Sequence, residues 1–248
     1  MPIRLASYNI RKAVGLDWRR KPDRILAVLD EIAPDIVVLQ EADKRLGERP
    51  AAIPHVLIET HGAWLPLDPG PGPSLGWHGN AILLRQGLKG EVIDRLTLPG
   101  LEPRGALLAR LGGAGPDFLL VAAHLGLDRA SRRRQIAAIL QAAGSTGLPM
   151  VIAGDLNTPR PARLLNGEGQ DLTVVTPGPS FHASQPMLAL DHMLLGRGVQ
   201  LVGCGVHQSP LARVASDHLP IWADLELPDP ALAIPSEKER MFCHSGGL

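Results

Sequence analysis

Aromatic residues are scarce: Phe, Trp and Tyr make up 3% of the 248 residues. A platform that stacks successive bases of a single strand needs several of them, so that class is disfavoured. An excess of either charge is also missing, since 25 Lys and Arg balance 25 Asp and Glu. Phosphate neutralisation drives duplex-DNA affinity and usually demands a basic surplus. A nucleic-acid partner therefore stays possible but is not indicated by net charge. The clusters Arg11 with Lys12, Arg19-Arg20-Lys21 and Arg132-Arg133-Arg134 read as solvated surface. Cysteine is limited to Cys204 and Cys243, with no C-x-x-C pair and no zinc spacing. Two thiols make no disulfide scaffold, and a reducing cytoplasm is the expected location. No signal-peptide core and no apolar run near the ~18 residues of a bilayer span is visible. A monomer without a transmembrane segment is expected.

The length fits one large domain, or at most two small ones, and the apolar fraction of 45% is that of an ordinary globular chain. Residues 3–10 read as a strand. Pro22 opens a helix with Ile25, Leu26, Leu29 and Ile32 on one face, and Pro34 ends it. Residues 35–40 then form a short apolar strand of the kind buried on both faces. A second β-α-β unit follows the same plan: strand 117–124, helix 131–143 with Ile136, Ile139 and Leu140 inward, strand 148–153. The two units look like a faint duplication. Between them, residues 63–79 are rich in Pro and Gly and read as a long surface loop. Residues 80–85, 91–98 and 106–111 read as successive strands of an antiparallel meander. Late strands are expected at 189–195, 199–206 and 219–227. The domain should span 1–228, with 229–248 a flexible tail. Strands alternating with two helices imply two packed sheets covered by outer helices.

The chemistry-bearing residues recur at strand ends, where ligand sites of α/β folds gather. Asn9, Glu41, His124, Asp155 and Asn157 each follow an apolar strand, and Asp191 and the pair Asp217-His218 flank the late ones. Taken singly, an Asp or Asn there is most often a turn or cap. Taken together, Asn9, Glu41, Asp155 and Asp217 are hard oxygen donors that suit Mg²⁺ or Mn²⁺ rather than zinc. Asp191 can fix the tautomer of His218, Asp155 can accept a proton from water, and Asn157 can hold that water or a phosphate oxygen. His124 adds a donor. In-line hydrolysis of a phosphate ester needs these roles.

The ordered strings carry more than the single residues. Ser7-Tyr8-Asn9-Ile10, Leu39-Gln40-Glu41, Gly79-Asn80-Ala81, His124-Leu125-Gly126, Gly154-Asp155-Leu156-Asn157, Leu190-Asp191-His192 and Ser216-Asp217-His218-Leu219-Pro220 span nearly the whole domain. In that order the chain resembles the endonuclease/exonuclease/phosphatase superfamily, in its compact stand-alone bacterial form. The resemblance implies an α/β fold, a four-layer α/β/β/α sandwich of two packed mixed β-sheets with outer helices. It implies metal held by Asn9 and Glu41 with Asp217 beside it, and water oriented by Asp155 with Asn157. It also implies an Asp191–His218 pair at the scissile phosphate and His124 as a second phosphate ligand or acid. Some members pair the residue matching His124 with a glutamate; here the matching stretch, Gly76-Trp77-His78-Gly79-Asn80, has no carboxylate. Asn80 or His78 can serve instead, and Arg104 sits where it can reach a phosphate.

The expected activity is thus Mg-dependent hydrolysis of a phosphate ester by a phosphodiesterase, on a nucleic acid or on a lipid or small-molecule substrate. Trp64, Leu65, Leu67, Leu75 and Trp77 offer apolar side chains that suit a lipid headgroup or pack on the domain. The rival is a binding protein that kept the fold and lost the chemistry; it would have shed Glu41, Asp155 or His218, and none is lost. A thiol or serine hydrolase is disfavoured.

Overall fold

The computed structural model describes residues 2–44, 48–68, 70, 72–113, 115–165 and 171–227. The expected tail and Cys243 lie outside them. The first β-α-β unit is β1 (Ile3–Asn9), α1 (Pro22–Ile32) and β2 (Ile36–Gln40), with β1 and β2 parallel. Pro22 sits in the first turn of α1, and Ala33 closes it in the left-handed conformation. A helix missed by the sequence reading, α2 (His55–His61), precedes β3 (Trp64–Pro66), β4 (Gly76–Trp77) and β5 (Asn80–Arg85). The chain then crosses to a second sheet through β6 (Lys89–Leu98), β7 (Arg104–Gly112) and β8 (Phe118–His124). The second β-α-β unit is completed by α3 (Arg129–Gly144) and β9 (Met150–Asp155), with β8 and β9 parallel. Short α4 (Ala162–Leu165), then β10 (Thr173–Val175), β11 (Asp191–Leu195), β12 (Gln200–Val206), α5 (Ala212–Ala215) and β13 (Ile221–Glu226) finish the fold.

The sheets are mixed. One has the order β12-β13-β1-β2-β5-β3, with β4 attached to β5; the other runs β10-β11-β9-β8-β7-β6. Alternation along each strand dictates the layers. In β1 and β2, Leu5, Ile36 and Val38 enter the core between the sheets, where they join Leu107, Leu120, Val151 and Met193 of the opposite sheet. Tyr8, Val37 and Leu39 face outward against Ile25 and Leu29 of α1. Val121 and Ile152 face outward against Ile136 and Ile139 of α3. The result is the four-layer sandwich, two sheets back to back with a helix layer on each outer face. Among the described residues no helix is long and apolar enough to cross a membrane.

Two expectations need correction. Residues 63–79 are not simply surface loop: Trp64 and Leu75 are fully buried, and β3 and β4 add strands to the first sheet. Burial of these side chains outweighs the turn signal of the intervening prolines and glycines. Residues 80–85 do not begin a meander either. β5 pairs antiparallel with β2, and the meander is β6-β7-β8 in the other sheet. A short turn reports that two strands are close in sequence, not that they share a sheet.

One glycine position is set by backbone approach. Gly154 has φ +152, and a Cβ there would lie 1.8 Å from the carbonyl oxygen of Ala123. Gly154→Ala must push β9 away from β8, the strand pair that carries His124 and Asp155. A loss of about 3 kcal/mol in unfolding free energy is expected, at the upper end for overpacking. Urea titration with a circular-dichroism readout checks it, and a midpoint shift no larger than that of an exposed substitution would refute the packing argument.

Candidate active site

Strand register builds half of the site. His124 pairs with Asp155 across β8 and β9, and Asp155 pairs with Asp191 across β9 and β11. Three polar side chains thus stand abreast at one end of the central strands of the second sheet. His218 arrives from the segment just before β13, and its Nδ1 lies 2.8 Å from Asp191 Oδ2. Its Nε2 faces Asp155 Oδ2 at 3.7 Å, and His124 Nε2 reaches the same oxygen at 3.4 Å. Asp191 is fully buried and its Oδ2 also accepts from Ser180 Oγ at 2.5 Å. The ring of Phe181 packs against His218 with centroids 4.9 Å apart.

The first sheet supplies the other half. Asn9, at the end of β1, donates from Nδ2 to Asp155 Oδ2 at 3.1 Å and so ties the two sheets together. Asn9 Oδ1 accepts from the backbone of Arg11 at 3.1 Å, and Ser216 Oγ donates to the Asn9 carbonyl at 2.7 Å. Beyond Asn9 the chain makes a left-handed turn, with Arg11, Lys12 and Ala13 all at positive φ. Such a run costs backbone energy and persists only where its surroundings dictate it. It brings Lys12 onto the carboxylate of Glu41 and Arg11 Nε to 3.4 Å from Asp217 Oδ2. Arg11 and Lys12 were expected to be solvated surface; both stand on site carboxylates instead.

A cleft of about 270 Å³ opens beside His124, with Lys12, Glu41, Lys44, Arg49, His78 and Arg104 among its walls. Arg104 is buried and donates to Glu102 Oε2 at 2.6 Å. His78 Nδ1 lies 3.2 Å from Arg49. Asn157, at φ +52, donates its backbone N–H to Asp155 Oδ1 at 2.9 Å and its amide to the Leu125 carbonyl at 2.9 Å. Asn80 is buried with its amide nitrogen near two carbonyls, Gly105 at 2.9 Å and Trp77 at 3.2 Å. Swapping the amide would set oxygen against both carbonyls, so the assignment is fixed. In this geometry Asn80 has no hydrogen left for a phosphate and acts as a splice between the two sheets.

Burial opposes charge on His218, but Asp191, by charge and hydrogen bond, and then Asp155 and Asp217 outweigh it. They push the imidazolium up to about 9. Burial raises the Asp155 carboxyl well above the ordinary range, Asp191 adds repulsion, and His218 offsets part of it. Atoms of Asp155, Asp191 and His218 lie within 4.8 Å of one another. Asp191 Oδ2 is shared by Ser180 and His218, the pattern of a hydrogen-bonded relay, while Asp191 Oδ1 is buried with no hydrogen-bond partner. The oxygens of Asn9, Glu41 and Asp217 fit Mg²⁺ or Mn²⁺ by donor type. Their two carboxylates already attract cationic side chains, as a cation site would.

Sequence reasoning missed several supports. Ser180 and Asp43 are ordinary loop residues in sequence, and Ser216 stands there only as part of a string, with no role of its own. Asp43 accepts from Gly79 at 3.0 Å and from Ser74 Oγ at 2.6 Å, bracing the loop under Glu41. Gly72-Pro73-Ser74-Leu75-Gly76 has the spacing of a hydrolase nucleophile turn. Ser74 instead lies in a loop with its hydroxyl donated to Asp43, not on a strand-to-helix elbow. His192 is fully buried, with Nε2 2.7 Å from the Thr158 carbonyl and Nδ1 3.0 Å from Thr176 Oγ1.

Burial lowers the His192 pKa more than its carbonyl partners raise it. The unfolded chain therefore binds a proton that the folded chain refuses, and stability falls as pH drops below about 6.5. His192→Gln keeps a donor for Thr158 but does not titrate. Urea midpoints between neutral and mildly acid pH should fall less steeply in the variant than in wild type. Parallel curves would refute the assignment.

The fold and this constellation define a class. A model of the endonuclease/exonuclease/phosphatase family matches residues 6–218, and the chain belongs to that family. An uncharacterised Escherichia coli protein, YbhP, is 28% identical over 165 residues, which cover 61% of this chain and 64% of that protein. The match thus spans less than two thirds of that relative. Among solved structures, an endonuclease/exonuclease/phosphatase protein from Beutenbergia cavernae superposes with TM-score 0.70 at 22% identity, covering 92% of this chain and 72% of the other. Zebrafish TDP2, solved with a single-strand DNA product, gives 0.68 at 17% identity, covering 91% and 99%. At these identities the structures testify to the fold.

Proposed function

We propose that this chain is a divalent-metal-dependent phosphodiesterase. The observation that carries the reading is the buried line Asp191–His218–Asp155, closed by a 2.8 Å bond on one side and an open 3.7 Å gap on the other. A separation of 3.7 Å is too long for a full hydrogen bond, so His218 Nε2 is left able to donate to a phosphoryl group beside the pair.

His218, held charged by Asp191, donates toward a phosphoryl oxygen and grows more favourable as charge accumulates there. Asp155, anchored by Asn9 and by the Asn157 backbone, keeps a lone pair for the proton of attacking water. Its raised pKa makes it a better acceptor near neutrality than an ordinary carboxylate. His124 and Arg104 face the cleft and offer donors to the remaining phosphoryl oxygens; Asn157 can give its second amide hydrogen. Asn9, Glu41 and Asp217 would hold Mg²⁺ or Mn²⁺, which when bound supplies Lewis-acid stabilisation of the leaving oxygen.

The test is purified full chain with Mg²⁺ or Mn²⁺ on bis-p-nitrophenyl phosphate, plasmid and abasic duplex, single-stranded nucleic acid and phospholipid vesicles. Turnover that EDTA abolishes is expected on at least one. Turnover undiminished by EDTA would sink the metal assignment, and inertness on all substrates would favour a non-catalytic binding protein.

A further inference from the structure

Large apolar side chains stand in water on three loops around this site. Trp18 is 79% exposed, Met187 75% and Leu127 67%. None is there by looseness. Trp18 sits in a tight turn closed by the Gly15 N–H on the Arg19 carbonyl at 3.1 Å and by a bridge between Val14 and Arg20. Its own φ of +58 is one that a bulky residue rarely adopts. Met187 caps a turn whose ends, Phe181 and Leu188, pair with each other. Leu127 is fixed by its N–H on Glu102 Oε1 at 3.1 Å.

Each loop is tied to the site. Trp18 lies under the Arg11 guanidinium at 4.7 Å, and Arg11 reaches Asp217. Phe181, at the base of the Met187 turn, packs on His218. Leu127 follows His124 by three residues, and Leu125 donates its N–H to the Asp155 carbonyl at 3.0 Å. Two of the tips are also basic. Arg19, Arg20 and Lys21 follow Trp18 directly, Arg129 follows Leu127 by two residues, and all four are exposed. On a chain of zero net charge, this leaves a local positive excess beside Trp18 and Leu127, even counting the adjacent Asp17 and Asp128.

We propose that these three tips dock the site on the surface of an anionic phospholipid bilayer, so that the substrate phosphodiester is a lipid headgroup. The inference rests on the phosphodiesterase reading above. Apolar tips with flanking arginine and lysine match an interface whose hydrocarbon lies just beneath anionic headgroups. Indole suits that depth, and arginine stems lie along it while the guanidinium stays wet. Single-stranded nucleic acid is the poorer fit, because two of the three tips are aliphatic and offer no face for base stacking. The apolar segment 63–79, the sequence-level candidate for lipid contact, buries Trp64 and Leu75 in the core instead.

Full chain is sedimented with vesicles of equal parts phosphatidylglycerol and phosphatidylcholine, and with phosphatidylcholine alone. Binding to the anionic vesicles is expected, at least about tenfold tighter than to the neutral ones, and weakened by salt. Each basic residue at such a surface is worth about fivefold, so Arg19→Gln with Arg20→Gln should weaken it at least about tenfold. Met187→Ser with Leu127→Ser should weaken it comparably, without changing turnover of soluble bis-p-nitrophenyl phosphate. Bromine-labelled lipid should quench tryptophan emission in wild type and lose most of that effect in Trp18→Phe. Absence of vesicle binding, binding indifferent to these variants, or displacement from vesicles by single-stranded DNA would overturn the proposal. Vesicle binding by a chain inert on every phosphodiester would instead remove the catalytic reading and leave the docking surface standing.

Discussion

His218→Ala and Asp155→Asn are each expected to lower kcat on a phosphodiester at least about 10²-fold, the lower bound for a general acid or base. In the proposed mechanism both groups act on charge that moves during the step, so each should favour the transition state over bound substrate. KM should therefore change far less than kcat. His218→Ala leaves Asp191 fully buried with one hydrogen bond fewer, from Ser180 alone. Some stability should go with it, on the order of 1–3 kcal/mol for an undersatisfied buried acceptor. His218→Gln keeps an amide to donate and should recover that stability without the rate, which separates the structural from the chemical role. The double variant should lose less than the product of the single losses, because the two residues serve one step. Folded single variants with near wild-type kcat would end the catalytic reading.

The reach of sequence reasoning follows from what each signal encodes. The two β-α-β units were legible because helix and strand periods are local and both strands of each unit are buried on both faces. Ile36 and Val38 face one core while Val37 and Leu39 face the other, and such strands read as unbroken apolar runs. Three-residue β3 and β10 carry too few positions to show a period. Sheet membership failed at β5 because pairing partners lie far apart in sequence: Ala81 opposes Leu39, and nothing in either string names the other.

The site divides in the same way. Residues at strand ends were legible because their strings recur in order. Ser180 and Asp43 were not, since a hydroxyl or carboxylate in a loop has many ordinary uses and only its partner gives it meaning. Arg11 and Lys12 show the limit most clearly. A basic pair after a strand is usually solvated; here a left-handed turn folds both back over the site.

That turn leads to the second large effect. Lys12 occupies the carboxylate of Glu41 in an ion pair whose side chains are 23% and 17% exposed. A metal held by Glu41 must compete with this ammonium, or share the carboxylate with it. If Glu41 is a ligand as proposed, Glu41→Ala removes a hard oxygen donor, and the Mg²⁺ needed for half-maximal turnover should rise at least about tenfold, in line with loss of one ligand-supporting group. Lys12→Met should act in the opposite direction on metal affinity. An ion pair this exposed is worth about 1 kcal/mol after solvent screening, so removing it should tighten Mn²⁺ binding about fivefold. Electron paramagnetic resonance of free Mn²⁺ measures this directly, without any substrate. The same variant should turn over phosphodiester more slowly at saturating metal, because the released ammonium is one of the cations lining the cleft beside His124. Tighter metal with slower turnover is thus the expected signature of Lys12. Weaker Mn²⁺ binding in Lys12→Met would mean that the lysine supports the ligand arrangement rather than competing with the ion. Unchanged Mn²⁺ binding in Glu41→Ala would move the metal away from the first sheet, toward the Asp155 and Asp191 cluster.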